Sequence, residues 1–429
     1  MKVVLYEPTG SGGIFHYTFE LAESLAKSSA DVLVLTKDGY ELGHLDRQFR
    51  IKAQLQASQI KRLFVHLKER LLRKYEGSLG AVTGNRVGDG GSVPRACGNL
   101  RRLVLWAELV FTLLMQRPDV VHFQWLDEPG KDYYLLVLLN WLGFKIVYTA
   151  HNVIPHDTES LNKTIYRKIY TLVDRVVVHG VSSKEEIVDC FSVAPDKIFV
   201  VPHGAYTLFF RNGRLTKEAA RGELALPRDG RIILFFGTIR EYKGLEYLVD
   251  AFRLIRNSLP SAILLVVGDV PSADKKSIAR YSKLMAELAS EKQVMFRREY
   301  VDFHAVGKYF SACDVVVLPY IKTYQSGVLM LACAAGRPAI VTETGGLGEV
   351  LDNGKSGIVV SPKSVGELAE ATASLITDIG RADDMGGHAL GLSRAEYSWN
   401  NIARQTLGVY ESVIRKSDEQ LSLTLGERM

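Results

Sequence analysis

Four short segments of the 429-residue chain each follow a predicted strand and carry residue types that bind anions or move protons. The first is the loop Pro8–Gly13. Its glycines let backbone amides approach an anion, and the helix start that follows adds a favourable potential. A tight turn explains the same glycines, so Gly12 and Gly13 have two interpretations. The spacing departs from the dinucleotide-binding fingerprint, because Phe15 occupies the third glycine position.

The second segment has the sequence TAHNVIPH and contains His151 and His156. Open α/β folds bind ligands at the carboxyl ends of their parallel strands. We therefore expect His151 to act in proton transfer or to hydrogen-bond a polar substrate. The alternative is a histidine that hydrogen-bonds its own loop, and this is the interpretation we keep for His156.

The third segment is a glycine-bounded loop, from Gly237 to Gly244, between a predicted strand and a predicted helix. Arg240 offers a planar fork of donors and Lys243 a point charge, and this combination suits a diphosphate. A solvated basic loop is the alternative.

The fourth segment is a polar QSG turn that opens an apolar helix, which is predicted to end at Gly336. Free amides at a helix start form an anion site, whereas ordinary N-capping by the serine is the alternative. Glu349 follows the next predicted strand. The sequence offers no Asp-x-Asp triplet at a strand end, so neither a metal nor a cofactor is expected. The candidate residues of the turn are Gln325, Ser326, Gly327 and Val328.

The elements that must position these segments are short β-branched runs alternating with helical patterns, which is typical of parallel βαβ units. Two successive open α/β domains are expected, residues 1–205 and 206–395, with a linker at about Tyr206–Arg228 and a ligand cleft between the sheets. The predicted strands are Val3–Tyr6, Asp31–Thr36, Val120–Phe123, Lys145–Thr149, Arg175–Val178, Ile198–Val201, Ile232–Phe236, Ile263–Val267, Val294–Arg297, Val315–Leu318 and Ala339–Thr342.

Composition excludes several classes of protein. Apolar residues make up 47% and charged residues 24%, as in ordinary globular proteins, and a net charge of +5 does not by itself indicate a nucleic-acid partner. The four cysteines are widely spaced, which argues against a disulfide framework and a structural zinc site. The start MKVVLYEP indicates a strand and no signal peptide, and the longest apolar stretches are shorter than the ~20 residues of a spanning helix. A cytoplasmic protein is expected.

One stretch concentrates positive charge. Arg47–Lys74 holds nine Lys or Arg residues and one acidic residue, with apolar residues at helical spacing. Such a stretch can lie on anionic lipid, and a solvated basic helix is the alternative. The following residues, Glu76–Asn99, contain seven glycines and indicate a long mobile loop.

With these motifs in order, the chain resembles the retaining GT-B glycosyltransferases of family 4. The resemblance covers nearly the whole chain and includes PDVVHFQW, KIVYTAHNVIPH, VVPHGA, ILFFGTIREYKGLEYLVDAF, ACDVVVLPY and QSGVLMLACAAGRPAIVTETGGLGEVL. It implies an α/β GT-B fold, in which two Rossmann-like open parallel-sheet domains face each other across a cleft. The donor nucleotide would bind mainly to the C-terminal domain. A final helix at 396–415 would cross back to the N-terminal domain, before a polar tail at 416–429.

Residue by residue, the resemblance places Gly12 and Gly13 beside the donor diphosphate and His151 near the transferred sugar. Arg240 and Lys243 match the cations that neutralise the leaving diphosphate. The implied reaction proceeds with net retention, through attack on the face that the diphosphate leaves. Such a step depends above all on stabilising the charge of the leaving group.

The resemblance also assigns diphosphate-holding amides to 326–328 and places Gln325 and Glu349 on the donor side. The family often has two glutamates eight positions apart around this helix. Here Thr323 and Leu331 stand in their places, so the chain resembles a variant subgroup with Gln-Ser-Gly.

The leading hypothesis is a nucleotide-sugar-dependent transfer of a hexose-type sugar to a lipid-linked or saccharide acceptor, in bacterial surface polysaccharide or exopolysaccharide biosynthesis. A polyprenyl-diphosphate-linked saccharide is the expected acceptor, with peripheral contact to the inner face of the cytoplasmic membrane through Arg47–Lys74. No nucleic-acid partner is expected. One alternative is a non-catalytic sugar-nucleotide-binding subunit of a synthase complex. Another is a different GT-B chemistry, such as epimerisation of a sugar nucleotide.

Overall fold

A computed structural model of the chain describes residues 1–54, 95–154, 159–271, 275–352 and 354–426. The chain divides into two compact units. The first comprises Met1–Tyr148, Leu172–Asp174 and Lys416–Met429, and the second comprises Thr149–Thr171 and Arg175–Arg415.

Thirteen strands are present in the described part of the chain. They are β1 (Lys2–Glu7), β2 (Asp31–Thr36), β3 (Arg50–Ala53), β4 (Val120–Phe123), β5 (Ile146–Thr149), β6 (Arg175–Val178), β7 (Ile198–Val200), β8 (Arg231–Phe236), β9 (Ala262–Val267), β10 (Val294–Arg297), β11 (Val315–Leu318), β12 (Ala339–Thr342) and β13 (Gly357–Val360).

Helices alternate with these strands in the described part of the chain. They are α1 (Gly12–Lys27), α2 (Arg95–Gln116), α3 (Pro129–Trp141), α4 (Glu159–Leu172), α5 (Val181–Phe191), α6 (Lys217–Glu223), α7 (Leu245–Ile255), α8 (Lys275–Ala289), α9 (Phe303–Ala312), α10 (Gly327–Ala335), α11 (Leu347–Val350), α12 (Val365–Thr377), α13 (Ile379–Arg394) and α14 (Trp399–Gly426).

The strands form two sheets, with the orders β3-β2-β1-β4-β5-β6-β7 and β10-β9-β8-β11-β12-β13. The pairings are parallel, as in the registers Val3↔Val120 and Ile233↔Leu264. In each sheet the strand order reverses once, between β1 and β4 and between β8 and β11. Ligands of open α/β sheets bind at such reversals, beyond the carboxyl ends of the strands. The loops that follow β1, β8 and β11 are therefore the positions where a site is expected.

Burial explains why most strands could be predicted. All four residues of β4, β5, β6, β11 and β12 are buried, and such strands appear in the sequence as short runs rich in β-branched residues. Helix α7 covers the second sheet with one apolar face, on which Leu245, Leu248 and Phe252 are buried. All predicted strands are confirmed to within one residue at either end.

Other predictions were wrong or incomplete. The last five residues of the predicted loop Glu76–Asn99 belong to helix α2, and the rest of that loop lies outside the described residues. The predicted linker Tyr206–Arg228 contains helix α6 and a short 3-10 turn at Thr207–Phe210. No helix in the described part of the chain is both long and apolar enough to cross a membrane.

Candidate functional site

The loop that follows β8 brings a lysine onto the end of the strand. Gly237 comes directly after β8 with φ of +102°, and a Cβ atom at this position would lie 3.1 Å from Nζ of Lys243. The same Nζ lies 5.5 Å from the ring centre of Tyr320, which follows β11. Lys243 therefore lies at the reversal of strand order, over glycine backbone on one side and an aromatic face on the other.

Close backbone contacts fix this loop. Ile321 N donates a hydrogen bond to Tyr242 O at 2.7 Å, which joins the loops after β8 and β11. Gly244 has φ of +61°, and a Cβ atom there would lie 2.2 Å from Pro319 O. Only glycine fits such a position, because another residue would be strained and would overlap the carbonyl.

The start of helix α10 lies beside the lysine. Ser326 is the N-cap residue, and its hydroxyl accepts a hydrogen bond from Leu329 N at 3.4 Å. Val328 Cγ2 lies 3.8 Å from the position that a Cβ atom of Gly237 would occupy. The first turn of α10 and the Lys243 ammonium thus flank one glycine. Helix-start amides and an ammonium that converge in this way form a site for an anion.

The remaining residue of the polar turn points inward. Gln325 Oε1 is buried without a hydrogen-bond partner among the described residues. The backbone carbonyl of Gln325 accepts a hydrogen bond from Thr323 Oγ1 at 2.9 Å, which holds the turn before α10. Thr323, which stands in place of one family glutamate, therefore shapes the turn.

Electrostatics at this site follow from burial. Lys243 is 8% exposed, and burial, with a smaller effect from the positive charge of Arg240, lowers the pKa of Lys243 to about 8. Arg240 is half-buried and precedes the short 3-10 turn that carries Lys243. The two predicted cations therefore belong to one local site, and an anion would relieve their repulsion.

His151 is buried two residues beyond β5, as the sequence predicts, and is 3% exposed. Its Nδ1 lies 3.0 Å from Nε2 of His179, the residue that follows β6. Its observed partner is thus another strand-end histidine, 28 residues away in the chain. The sequence prediction missed His179 and His203, although both follow predicted strands, the same signal that selected His151.

A row of rings connects this histidine to helix α10. Ring centres are separated by 4.9 Å between His151 and His179, 5.3 Å between His179 and His203, and 5.1 Å between His203 and Tyr206. Tyr206 packs against the first residue of α10, since a Cβ atom at Gly327 would lie 2.7 Å from Tyr206 Cε2. His151, Arg240, Lys243 and residues 325–328 all belong to the second compact unit.

Glu349 has a structural partner in the same unit. Its carboxylate accepts hydrogen bonds from Val181 N at 2.9 Å and Ser182 N at 3.1 Å. A carboxylate at a helix start is stabilised by the unpaired amides and the helix dipole, so Glu349 caps α5 directly after His179. Its predicted contact with the donor stays a prediction.

Gly12 and Gly13 lie in the first compact unit, at the start of α1. Gly12 has φ of +73°, and its amide donates to Glu41 Oε2 at 3.0 Å. The same carboxylate oxygen lies 2.8 Å from His16 Nε2. The left-handed backbone supports the interpretation as a tight turn, and a contact of either glycine with the donor stays a prediction.

The basic stretch Arg47–Lys74 is described only at its beginning. Arg50 pairs with Asp31 at 2.9 Å, and Lys52 Nζ donates to Thr112 Oγ1 at 2.7 Å. Residues 55–74 of the stretch, and His156, lie outside the described residues.

Two family models match most of the folded chain. Residues 11–207 match the model described as Glycosyltransferase Family 4, and residues 230–378 match Glycosyl transferases group 1. Sucrose-phosphate synthase from Thermosynechococcus elongatus superposes with a TM-score of 0.73 at 20% identity, covering 97% of this chain and 100% of that one. Anabaena HepE in complex with UDP-glucose superposes with a TM-score of 0.69 at 16% identity, covering 96% and 100%. The chain therefore has the GT-B fold, and its two matched regions are similar to glycosyltransferase domains, which supports family 4.

One relative with a named activity matches part of the chain. D-inositol 3-phosphate glycosyltransferase of Stackebrandtia nassauensis is 31% identical over 247 residues, which cover 57% of this chain and 55% of that protein. The chain thus matches about half the length of this relative.

Proposed function

We propose that the protein transfers a hexose-type sugar from a nucleoside-diphosphate sugar to a lipid-linked or saccharide acceptor, with retention at the anomeric carbon. In this proposal it serves bacterial surface polysaccharide or exopolysaccharide biosynthesis. The observation that carries the proposal is the convergence of Lys243 with the first turn of α10 at Gly237. A leaving diphosphate needs such a concentration of fixed positive potential.

The donor follows from the same site. Buried Lys243 and half-buried Arg240 offer two charges, and the amides at the start of α10 offer directed donors. Anabaena HepE, which has the same fold, forms a complex with UDP-glucose in its crystal structure. We therefore infer that a UDP-sugar is the first donor to test.

The proposed step exchanges one bond at the anomeric carbon. The bond to the diphosphate oxygen breaks and its electron pair leaves with the diphosphate. The acceptor hydroxyl oxygen bonds to the same face of the carbon, and its proton passes to the departing diphosphate oxygen. Lys243, Arg240 and the α10 amides stabilise the departing charge. His151 hydrogen-bonds the transferred sugar and orients it for this attack.

Nucleotide binding is expected to depend on pH. Because the pKa of Lys243 is lowered to about 8, the free protein loses this charge as the pH rises through 8. Affinity for UDP should therefore be highest below pH 8 and fall above it. Titration calorimetry from neutral to alkaline pH measures this change. The matched control is Lys243→Arg, since a guanidinium stays charged over this range. Equal pH profiles for the two proteins would contradict the assignment.

We infer that the acceptor approaches the first unit, where two helices carry exposed apolar side chains. An ion pair links helices α2 and α3, with Nη1 of Arg102 on α2 lying 3.9 Å from Oδ1 of Asp132 on α3. Phe111 is 64% exposed on α2, and Trp141 is 80% exposed on α3. Exposed aromatic and apolar residues of this kind suit the interface of a lipid layer. The large apolar side chains that are exposed on these two helices are Leu103, Phe111, Leu114, Met115, Tyr134, Val137, Leu138 and Trp141.

One experiment tests donor and acceptor together. Thermal shifts with UDP-, GDP-, ADP- and dTDP-sugars identify the donor, because a ligand of the native state raises the melting temperature. Transfer is then compared between a polyprenyl-diphosphate saccharide in vesicles and a short water-soluble saccharide. The variant Phe111→Gln/Trp141→Gln should raise KM for the vesicle acceptor alone. No thermal shift with any donor would overturn the proposed function, and equal losses with both acceptors would overturn the lipid-linked acceptor.

A further inference from the structure

Three strands of the first sheet are each followed, within three residues, by a histidine. His151 follows β5, His179 follows β6 and His203 follows β7, and these strands are neighbours in the order β5-β6-β7. Because the carboxyl ends of parallel strands meet at one edge of a sheet, the three imidazoles lie in a row, with neighbouring rings in tilted and edge-to-face contact. Of these three histidines, only His151 has a role in the proposed reaction, and its hydrogen-bonded neighbour His179 has none so far.

Hydrogen-bond directions follow from the partners. His179 Nδ1 lies 3.0 Å from Val201 O. A carbonyl oxygen only accepts hydrogen bonds, so this nitrogen carries a hydrogen. Burial lowers the pKa of His179 to about 4, and the ring is therefore neutral near pH 7, with a lone pair on Nε2.

The lone pair of His179 determines the state of its neighbour. His179 Nε2 lies 3.0 Å from His151 Nδ1. Two lone pairs at this distance would repel each other, so His151 Nδ1 carries the hydrogen and donates it. In neutral His151 the acceptor nitrogen is then Nε2, the atom on the opposite side of the ring from His179.

Two further contacts hold His179 in place. Its ring lies against His203, whose Nδ1 is 2.7 Å from Gly204 O. Helix α5 begins two residues after His179, and the Glu349 carboxylate binds the amides of Val181 and Ser182 there. The position of His179 is thus fixed by a ring contact, a carbonyl and a capped helix start.

We propose that His179 is a positioning residue that holds His151 in its Nδ1–H tautomer, so that Nε2 accepts a hydrogen bond from a hydroxyl of the transferred sugar. The role in transfer rests on the proposed function, whereas the tautomer is a property of the protein alone. An incorrect tautomer would turn a hydrogen-bond donor toward the sugar hydroxyl and lower kcat without removing the donor site.

The test reads the tautomer directly. Nitrogen-15 NMR of labelled histidines in the wild type should show His151 protonated on Nδ1 at neutral pH, with His151→Gln used to assign its signals. His179→Leu removes the acceptor and should shift His151 toward the Nε2–H form. His179→Gln supplies an amide oxygen as acceptor and should retain the Nδ1–H form. The control is His388→Gln. His388 lies on α13, and its Nε2 is hydrogen-bonded to Asp352 Oδ2 at 2.8 Å.

Activity gives the second readout. We expect His179→Leu to lower kcat about tenfold or more with KM for the donor changed far less, and His179→Gln to recover most of the loss. A wild type with His151 in the Nε2–H form would overturn the proposal, even if His179→Leu failed to fold. An unchanged tautomer in folded His179→Leu would also overturn it. Absence of turnover with every donor would instead count against the proposed function.

Discussion

Replacing Lys243 with alanine is expected to lower kcat for sugar transfer by about 100-fold or more. The Lys243 ammonium lies at the end of β8 beside the first turn of α10, where the charge of a leaving diphosphate would develop. It is 8% exposed, and little water competes with its charge. Steady-state release of nucleoside diphosphate with saturating donor measures the effect.

A lysine on the surface of the same unit provides the control for this result. Lys283 on α8 has a side chain that is 88% exposed, and Lys283→Ala should leave kcat unchanged. Lys243→Arg keeps the charge in a larger, planar group and should fall between the wild type and alanine. If Lys243→Ala retained at least half of the wild-type kcat, the leaving group would not be stabilised at this site.

The largest effect on stability is expected at Asp314. Its carboxylate accepts hydrogen bonds at 2.7 Å from Arg221 Nη2 and from Ile232 N, at the start of β8. The Arg221 side chain is only 4% exposed. Asp314→Ala would leave that buried guanidinium without a carboxylate partner, although it keeps hydrogen bonds to the carbonyls of Ala312 and Arg228. Loss of one partner of a buried ion pair costs about 3–5 kcal/mol.

Urea unfolding of the intact chain measures this loss. The matched control is Asp250→Ala, because Asp250 is 58% exposed and pairs with Arg253 at 3.4 Å. An exposed pair contributes roughly 0–1 kcal/mol, so this variant should unfold close to the wild type. Equal losses of unfolding free energy in the two variants would contradict the buried role of Asp314.

The strands could be predicted because a buried strand has a recognisable local composition. Fully buried parallel strands such as β4 and β11 appear as short runs rich in valine. Strand β3, with the sequence RIKA, alternates between exposed and half-buried residues at the edge of its sheet, and was missed. Helix α6 was also missed, since the partner that holds its Arg221 is 93 residues away.

The residues of the candidate site also fall into two groups, those that local sequence patterns predict and those that depend on distant contacts. Lys243 and the start of α10 could be selected from the sequence, because a glycine-bounded loop and a capping serine are local patterns. The position of Glu349 rests on the amide of Val181, 168 residues away, and no local pattern indicates that pairing. His179 and His203 carry the same strand-end signal as His151, but their contacts with it depend on the strand order.

The proposed diphosphate site can be tested most directly by comparing turnover and binding in one protein preparation. Wild type is incubated with the donor that gives the largest thermal shift and with a saccharide acceptor, and nucleoside diphosphate and glycoside product are measured together. We expect equal amounts of the two products, with the donor's anomeric configuration retained, and a loss of both in Lys243→Ala. Donor binding without either product in the wild type would contradict the proposed transfer and favour a sugar-nucleotide-binding subunit.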